Sequence, residues 1–298
     1  MKHRDKNKKN GRKGRRLKGI AALCVFAAIV LLWAGMFLSS LTVRLRRAEV
    51  KLHDLPASFD GTTILFISDV ELCGFNNLRA LKGLCDSLAQ LQPDVVLLGG
   101  NYVSPSLLER MTDKEASGSA DTRRRALERL ASIPSTYGTY AVAGDDDDSP
   151  ELLWREAENT GIQVLNNTGA ILNNGTEAIY LAGLSPTGAL ESISSIVNST
   201  MCVVGFANDP ARAIDVNIAE SKDGGRWVDL FLSGHNLGGQ ICVKGRTLLD
   251  LTETQRRFFK GWTMDKMPIL VSQGVGCRSF NLRLGSQAEV WLITLRRA

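Results

Sequence analysis

No Cys-x-x-Cys pair occurs anywhere in the 298 residues, and the six cysteines stand apart at Cys24, Cys73, Cys85, Cys202, Cys242 and Cys277. That spacing excludes a zinc ribbon and a small disulfide framework. Internal repeats are also missing, which excludes a solenoid or a propeller. The chain beyond residue 47 lacks an excess of positive charge. Of 36 Lys and Arg and 31 Asp and Glu, the N-terminal tail together with Arg44, Arg46 and Arg47 holds 13 bases and one acid. The remainder has 23 bases against 30 acids, net −7. Nucleic-acid binding by this part is not expected, because phosphate backbones are held by clustered bases.

The N-terminus is organised differently. Residues 1–18 form a basic tail with ten Lys or Arg and the single acid Asp5. From Gly19 to Val43 no residue is charged, and Ala, Leu, Ile, Val, Phe and Trp dominate. About 20 apolar residues suffice for a helix to cross the hydrocarbon core. The run exceeds the apolar region of a cleavable signal, and no Ala-x-Ala site follows it. It reads as a single-pass anchor, and the tail suits anionic headgroups. The positive-inside rule puts the N-terminus in the cytoplasm and the bulk of the chain on the extracytoplasmic side of a cell membrane.

Residues 48–298 are enough for one domain with a sizeable core. Short apolar runs predict buried strands at Thr63–Ile67, Val95–Leu98, Tyr137–Ala143, Ala178–Ala182, Met201–Phe206, Val228–Leu232, Ile241–Val243, Pro268–Ser272 and Glu289–Leu295. A helical stripe runs from Leu78 to Leu91 and stops at Pro93, and a second helix is expected over Ala126–Ile133. Thr112–Thr122 reads as an exposed loop, and Ser149-Pro150 as a helix cap and first helical residue. The class is α/β, and several strands end in a polar residue or a glycine turn. In α/β sheets ligands gather at that edge.

The most telling segment is Ser233-Gly-His-Asn-Leu-Gly-Gly-Gln240. It resembles the Gly-His-Thr-His-Gly-Gly-Gln motif of calcineurin-like metallophosphoesterases, with Leu237 at the second histidine. The resemblance extends over nearly all of residues 50–295. Leu52–Leu72 is similar to the entry segment of the membrane-associated subgroup, Pro93–Asn101 to the strand ending in Gly-Asp, and Tyr137–Gly144 to the strand before Gly-Asn-His-Asp. Phe206-Ala-Asn208 stands where a strand ends in histidine, and Gly274-Val-Gly276 fits the family's end.

That resemblance implies a four-layer α/β/β/α sandwich with a divalent-metal site at the strand ends. Position by position it assigns Asp69, Glu71, Asn101, Asp145, Asn208 and His235 as metal ligands. Asp146 falls at the histidine that donates a proton or binds phosphate, and Asn101 takes the place of the bridging carboxylate. Only Asp69 and His235 are unchanged. The replacements Glu71, Asn101, Asp145 and Asn208 present oxygen, so Mn or Mg is implied in preference to Zn or Fe. A neutral amide at the bridge favours one ion over two, or none. The function implied is a membrane-anchored hydrolase of a phosphate mono- or diester, with a lipid headgroup or envelope precursor as candidate substrate. The alternative is a pseudoenzyme acting as a membrane-proximal binding or scaffold domain. Each site residue also has a plainer reading: His235 as a remnant on a turn, Asp69 as a cap, and Asp145–Asp148 as a hydrated turn.

Overall fold

In the computed structural model, residues 2–73, 76–105, 119–147, 150–247 and 251–298 are described, with the side chains of 2–17, 119 and 150 left aside. Alternate residues of each central strand point into different cores. In β2 (Thr63–Ile67), Ile64 and Phe66 join one apolar cluster while Leu65 and Ile67 join another. In β9 (Leu230–Ser233), Leu230 and Leu232 face the first of these clusters and Phe231 faces a third. A strand buried on both faces needs apolar residues at every position, which is why these segments read as unbroken runs.

Three clusters between four layers define the architecture. One sheet has the order β1 (Arg44–Leu52), β14 (Glu289–Arg297), β2, β3 (Val95–Leu98), β4 (Thr139–Ala141), β5 (Ile162–Val164). The other runs β12 (Gly261–Met264), β13 (Pro268–Val271), β9, β8 (Val203–Ala207), β7 (Glu177–Leu184), β6 (Thr168–Asn174). The sheets pack on each other through Phe59, Phe66, Leu97, Phe206 and Leu232. Helices α2 (Leu78–Ala89), α3 (Ser119–Leu130) and α4 (Pro150–Ala157) cover the first sheet. Helices α5 (Glu191–Ser194) and α6 (Arg212–Ile218), with Phe258 at the end of α7 (Glu253–Arg257), cover the second. This is the α/β/β/α sandwich expected from the resemblance.

Strands β2 to β5 are parallel, as are β7, β8, β9 and β13. Their carboxyl ends therefore lie together at one end of the sandwich. Helix α1 spans Lys2–Leu41, and its residues Lys18–Leu41 are long and apolar enough to cross a membrane. Among residues 18–41 it is almost wholly exposed, with only Met36 and Ser40 buried. The first strand starts at Arg44, directly after it.

Some expectations shift. The helix expected over Ala126–Ile133 begins earlier, so Ser119–Thr122 is helical rather than loop, and 112–118 lie outside the described residues. Its polar start is pinned by Arg123, buried against Glu156 of α4 by paired hydrogen bonds. Ser149 also lies outside the described residues, while Pro150 opens α4. The strand expected over Tyr137–Ala143 pairs only at Thr139–Ala141, and β1, β5, β6, β12 and the two-residue strand Arg246–Thr247 are additional. β1, β5 and β6 carry exposed polar positions, which blur an apolar run, and β12 is a short edge strand whose exposed residues are Trp262 and Met264.

Candidate functional site

Five non-glycine residues at the strand ends adopt left-handed backbone conformations: Asp69, Glu71, Asn101, His235 and Leu237, with φ between 46° and 68°. Left-handed backbone costs a side-chain-bearing residue roughly 1–2 kcal/mol, and such strain clusters at functional sites. Asn, Asp and His tolerate it best, and leucine does not belong to that group. Leu237 is fully buried there.

Asp69 follows β2 and His235 follows β9, so their contact joins the two sheets. The His235 N–H donates to both Asp69 oxygens, at 3.0 and 2.9 Å. The Asn208 amide donates to Asp69 Oδ1 at 3.2 Å and to the Gly99 carbonyl at 2.7 Å. Asn101 Nδ2 donates to Asp145 Oδ1 at 2.9 Å and to Asn208 Oδ1 at 3.3 Å, and Asn101 Oδ1 accepts from the Asp146 N–H. His235 Nδ1 lies 3.2 Å from the same Asp145 oxygen. Asp69, Asn101, Asp145, Asn208 and His235 thus form one hydrogen-bonded chain. Glu71 and Asp146 stand beside it, joined through an arginine.

That arginine is Arg278, in the loop after β13. Its Nε is 3.6 Å from Glu71 Oε1, and its Nη2 is 3.3 Å from Asp146 Oδ2 and 3.8 Å from Asp145 Oδ1. Three carboxylates converge on one guanidinium. Both Glu71 oxygens are buried without a hydrogen bond, as are Arg278 Nε and Nη2. Glu71 therefore ionises reluctantly. Burial pushes its carboxyl up to about 8, with Arg278 opposing and Asp146 and Asp69 adding to the shift. Burial also raises Asp69, against the pull of His235. Asp145 goes the other way: burial is outweighed by His235, Asn101 and Arg278, which hold it below the usual carboxylate range. The same contact with Asp145 raises His235 in spite of burial.

Sequence reasoning missed three residues that build this end. Arg278 is one. The fully buried Asp147 is another, accepting from the N–H groups of Asn101 at 2.6 Å, Gly144 at 2.8 Å and Tyr102 at 2.9 Å. It holds the ends of β3 and β4 together, and burial still pushes its carboxyl up to about 6 despite those bonds. Arg283 is the third. Its guanidinium donates to the carbonyls of Leu237, Gln273, Gly274 and Gly276. The one available signal for Arg278 and Arg283 was a pair of cations just past Gly274-Val-Gly276.

The residues present do not fit a pair of divalent ions. Asn101 and Asn208 turn amide donors toward Asp145 and Asp69, where a dication would need acceptors. Leu237 offers no donor atom, and Arg278 takes up the carboxylates on the far side. Among the described residues no group of three His, Cys, Asp or Glu side chains is arranged to hold a metal ion.

No family model matches the chain. Curated relatives do. "Transmembrane protein with metallophosphoesterase domain" of Danio rerio is 23% identical, covering 84% of this chain and 56% of that protein. Its namesake in Bos taurus is 24% identical, covering 96% and 64%. Phosphodiesterase YaeI of Escherichia coli (strain K12) is 25% identical, covering 78% and 81%. The chain therefore spans well under two thirds of the Danio rerio protein and just under that share of the Bos taurus one.

Proposed function

From a chain of the calcineurin-like metallophosphoesterase family, a family that uses divalent metal, we propose a membrane-anchored domain whose strand-end site serves as a binding module rather than as a two-ion hydrolase. The anchor is α1, supported by its length and composition and by relatives named as transmembrane proteins. Phosphoester chemistry is the family's activity. Asp69, Asn101, Asp145, Asn208 and His235 form the frame of the module, with Arg278 linking the buried Glu71 to Asp146 at its mouth.

One observation carries this reading. The Arg278 guanidinium sits among Glu71, Asp145 and Asp146, within 3.3–3.8 Å of all three, and supplies in fixed form the positive charge those acids require. A two-ion mechanism needs a charged bridge that clamps attacking and leaving oxygens, and Asn101 is neutral and hydrogen-bonded. In this reading Asn101 holds the frame, Asp146 shapes the mouth, and neither moves a proton.

A second reading is favoured by the Glu71 oxygens, which are buried without hydrogen bonds, and by three acids facing one base. It is hydrolysis of a phosphate mono- or diester with a single Mn or Mg ion. Calorimetric titration of the full-length protein in detergent with Mn, Mg, Zn and Ca, beside mono- and diester hydrolysis assays, separates the two. The binding-module reading expects no stoichiometric uptake and no metal-dependent turnover. Uptake and turnover, both abolished by Asp69→Ala and His235→Ala, establish the one-ion hydrolase instead.

A further inference from the structure

The anchor helix leaves the domain at the same end as the site. Strand β1 runs parallel to β14, with Arg44 opposite Glu289, and β14 runs antiparallel to β2, with Trp291 opposite Phe66. Arg44 is therefore level with the carboxyl end of β2, where Asp69 begins. Two strand spacings separate them, about 10 Å. The opposite end of the sandwich, marked by the β6–β7 turn at Thr176, lies a full strand length away.

The junction is tied directly to the site loops. The Arg283 N–H donates to the Met36 carbonyl of α1 at 3.1 Å, while the Arg283 side chain holds the carbonyls of Leu237, Gly274 and Gly276. Ser40 Oγ of α1 donates to the Asn281 carbonyl at 3.0 Å. A cavity of about 280 Å³ separates Leu41 and Val43 from Asn76 and Val275 of the site loops. Asn76 in turn donates to the Glu71 carbonyl. Among residues 18–41, α1 is buried only at Met36 and Ser40, so a bilayer around that helix would begin where the site end stops.

Side chains around this end match such a neighbour. Cys242 N–H bonds the Leu284 carbonyl, which brings the β10–β11 hairpin (Cys242–Val243 and Arg246–Thr247) beside the Arg283 loop. Exposed residues there include Val243, Lys244, Arg246 and Phe280, in addition to Arg44 at the helix exit. The remainder of the domain is net acidic, so these bases are gathered against the overall balance. Apolar and aromatic tips among bases are the composition of a surface that meets anionic headgroups.

We infer that the site end of the sandwich rests on the membrane surface, so that the site meets ligands from the anionic headgroup layer. This rests on α1 being an anchor but not on whether the site holds metal. The test uses the full chain in nanodiscs of phosphatidylcholine with phosphatidylglycerol and a headgroup nitroxide lipid. A fluorophore is placed at Val243→Cys or, in a second variant, Phe280→Cys, against Thr176→Cys, all in a Cys24→Ser, Cys73→Ser background. Several-fold stronger quenching at 243 and 280 than at 176 is expected, and it should weaken when phosphatidylglycerol is omitted. Equal quenching at the two ends, or stronger quenching at 176, overturns the inference. Failure to enter nanodiscs at all overturns the anchor instead.

Discussion

Arg278 Nε lies 3.6 Å from Glu71 Oε1, a distance that gives charge compensation without a hydrogen bond, in a pocket that seals both Glu71 oxygens from water. An acid so placed depends on its counter-charge. Arg278→Met should lower stability by roughly 1–3 kcal/mol, the cost of a buried polar group that loses its partner. The loss should be largest above pH 8, where Glu71 is ionised, and shrink below it, where Glu71 holds a proton. Arg278→Met with Glu71→Gln should cost less than the two single changes summed. Urea denaturation of the four proteins measures this coupling, and strict additivity would show that the two groups do not interact.

If Arg278 and the amides displace a metal pair, restoring the donors should restore binding. Asn101→Asp and Leu237→His both suit the left-handed backbone already present. Combined with Arg278→Ser, they should give stoichiometric Mn binding well above any shown by the parent protein, read by calorimetry. A folded triple variant that takes up no Mn would contradict the account of why these residues do not fit two ions.

Protonation of the buried acids predicts how stability follows pH. Glu71, raised from 4.5 to about 8, and Asp147, raised from 3.8 to about 6, both bind a proton more readily folded than unfolded. Their contribution is complete below the unfolded values and is lost as pH rises through the folded ones. Stability should therefore fall from about pH 4.5 to 8, with a slope of up to about 1.4 kcal/mol per pH unit for each titrating group. Glu71→Gln should remove that group's share of the slope between 6 and 8. Melting temperatures across this range check it, and an unchanged slope in the variant would refute the assignment.

Gly234 separates β9 from His235 and has no room for a side chain. A Cβ there would lie 2.2 Å from Asp69 Oδ2 and 2.6 Å from Ser68 Cβ. Gly234→Ala should cost about 1–3 kcal/mol or more, because both neighbours are buried and fixed. Gly175, in the turn at the opposite end, faces open space with φ +63°, so Gly175→Ala should cost about 1 kcal/mol from backbone alone. Thermal denaturation of both variants compares the two. Comparable losses would mean that Asp69 can move, and that the site is less rigid than its bonds suggest.

Much of this molecule was legible before any coordinates. Doubly buried strands announce themselves as apolar runs, because every position faces a core, and Thr63–Ile67, Val95–Leu98 and Pro268–Val271 are such runs. The sequence also determined by itself that Lys18–Leu41 is long and apolar enough to cross a membrane, since length and the absence of charge are local properties. The resemblance to calcineurin-like metallophosphoesterases pointed to Asp69, Asn101, Asp145, Asn208 and His235, and the fold brings those five side chains into one hydrogen-bonded chain.

Only the tertiary structure decided what those residues do to one another. Arg278 is distant in sequence from Glu71 and Asp145, and Arg123 is unremarkable until it is buried against Glu156. The amides of Asn101 and Asn208 became donors because Asp145 and Asp69 arrive opposite them from other strands. The register of β1 on β14 set the anchor at the site end rather than the far one. Charge pairing and register depend on which strands lie side by side, and strand order is a property of the folded sheet, not of any stretch of the chain.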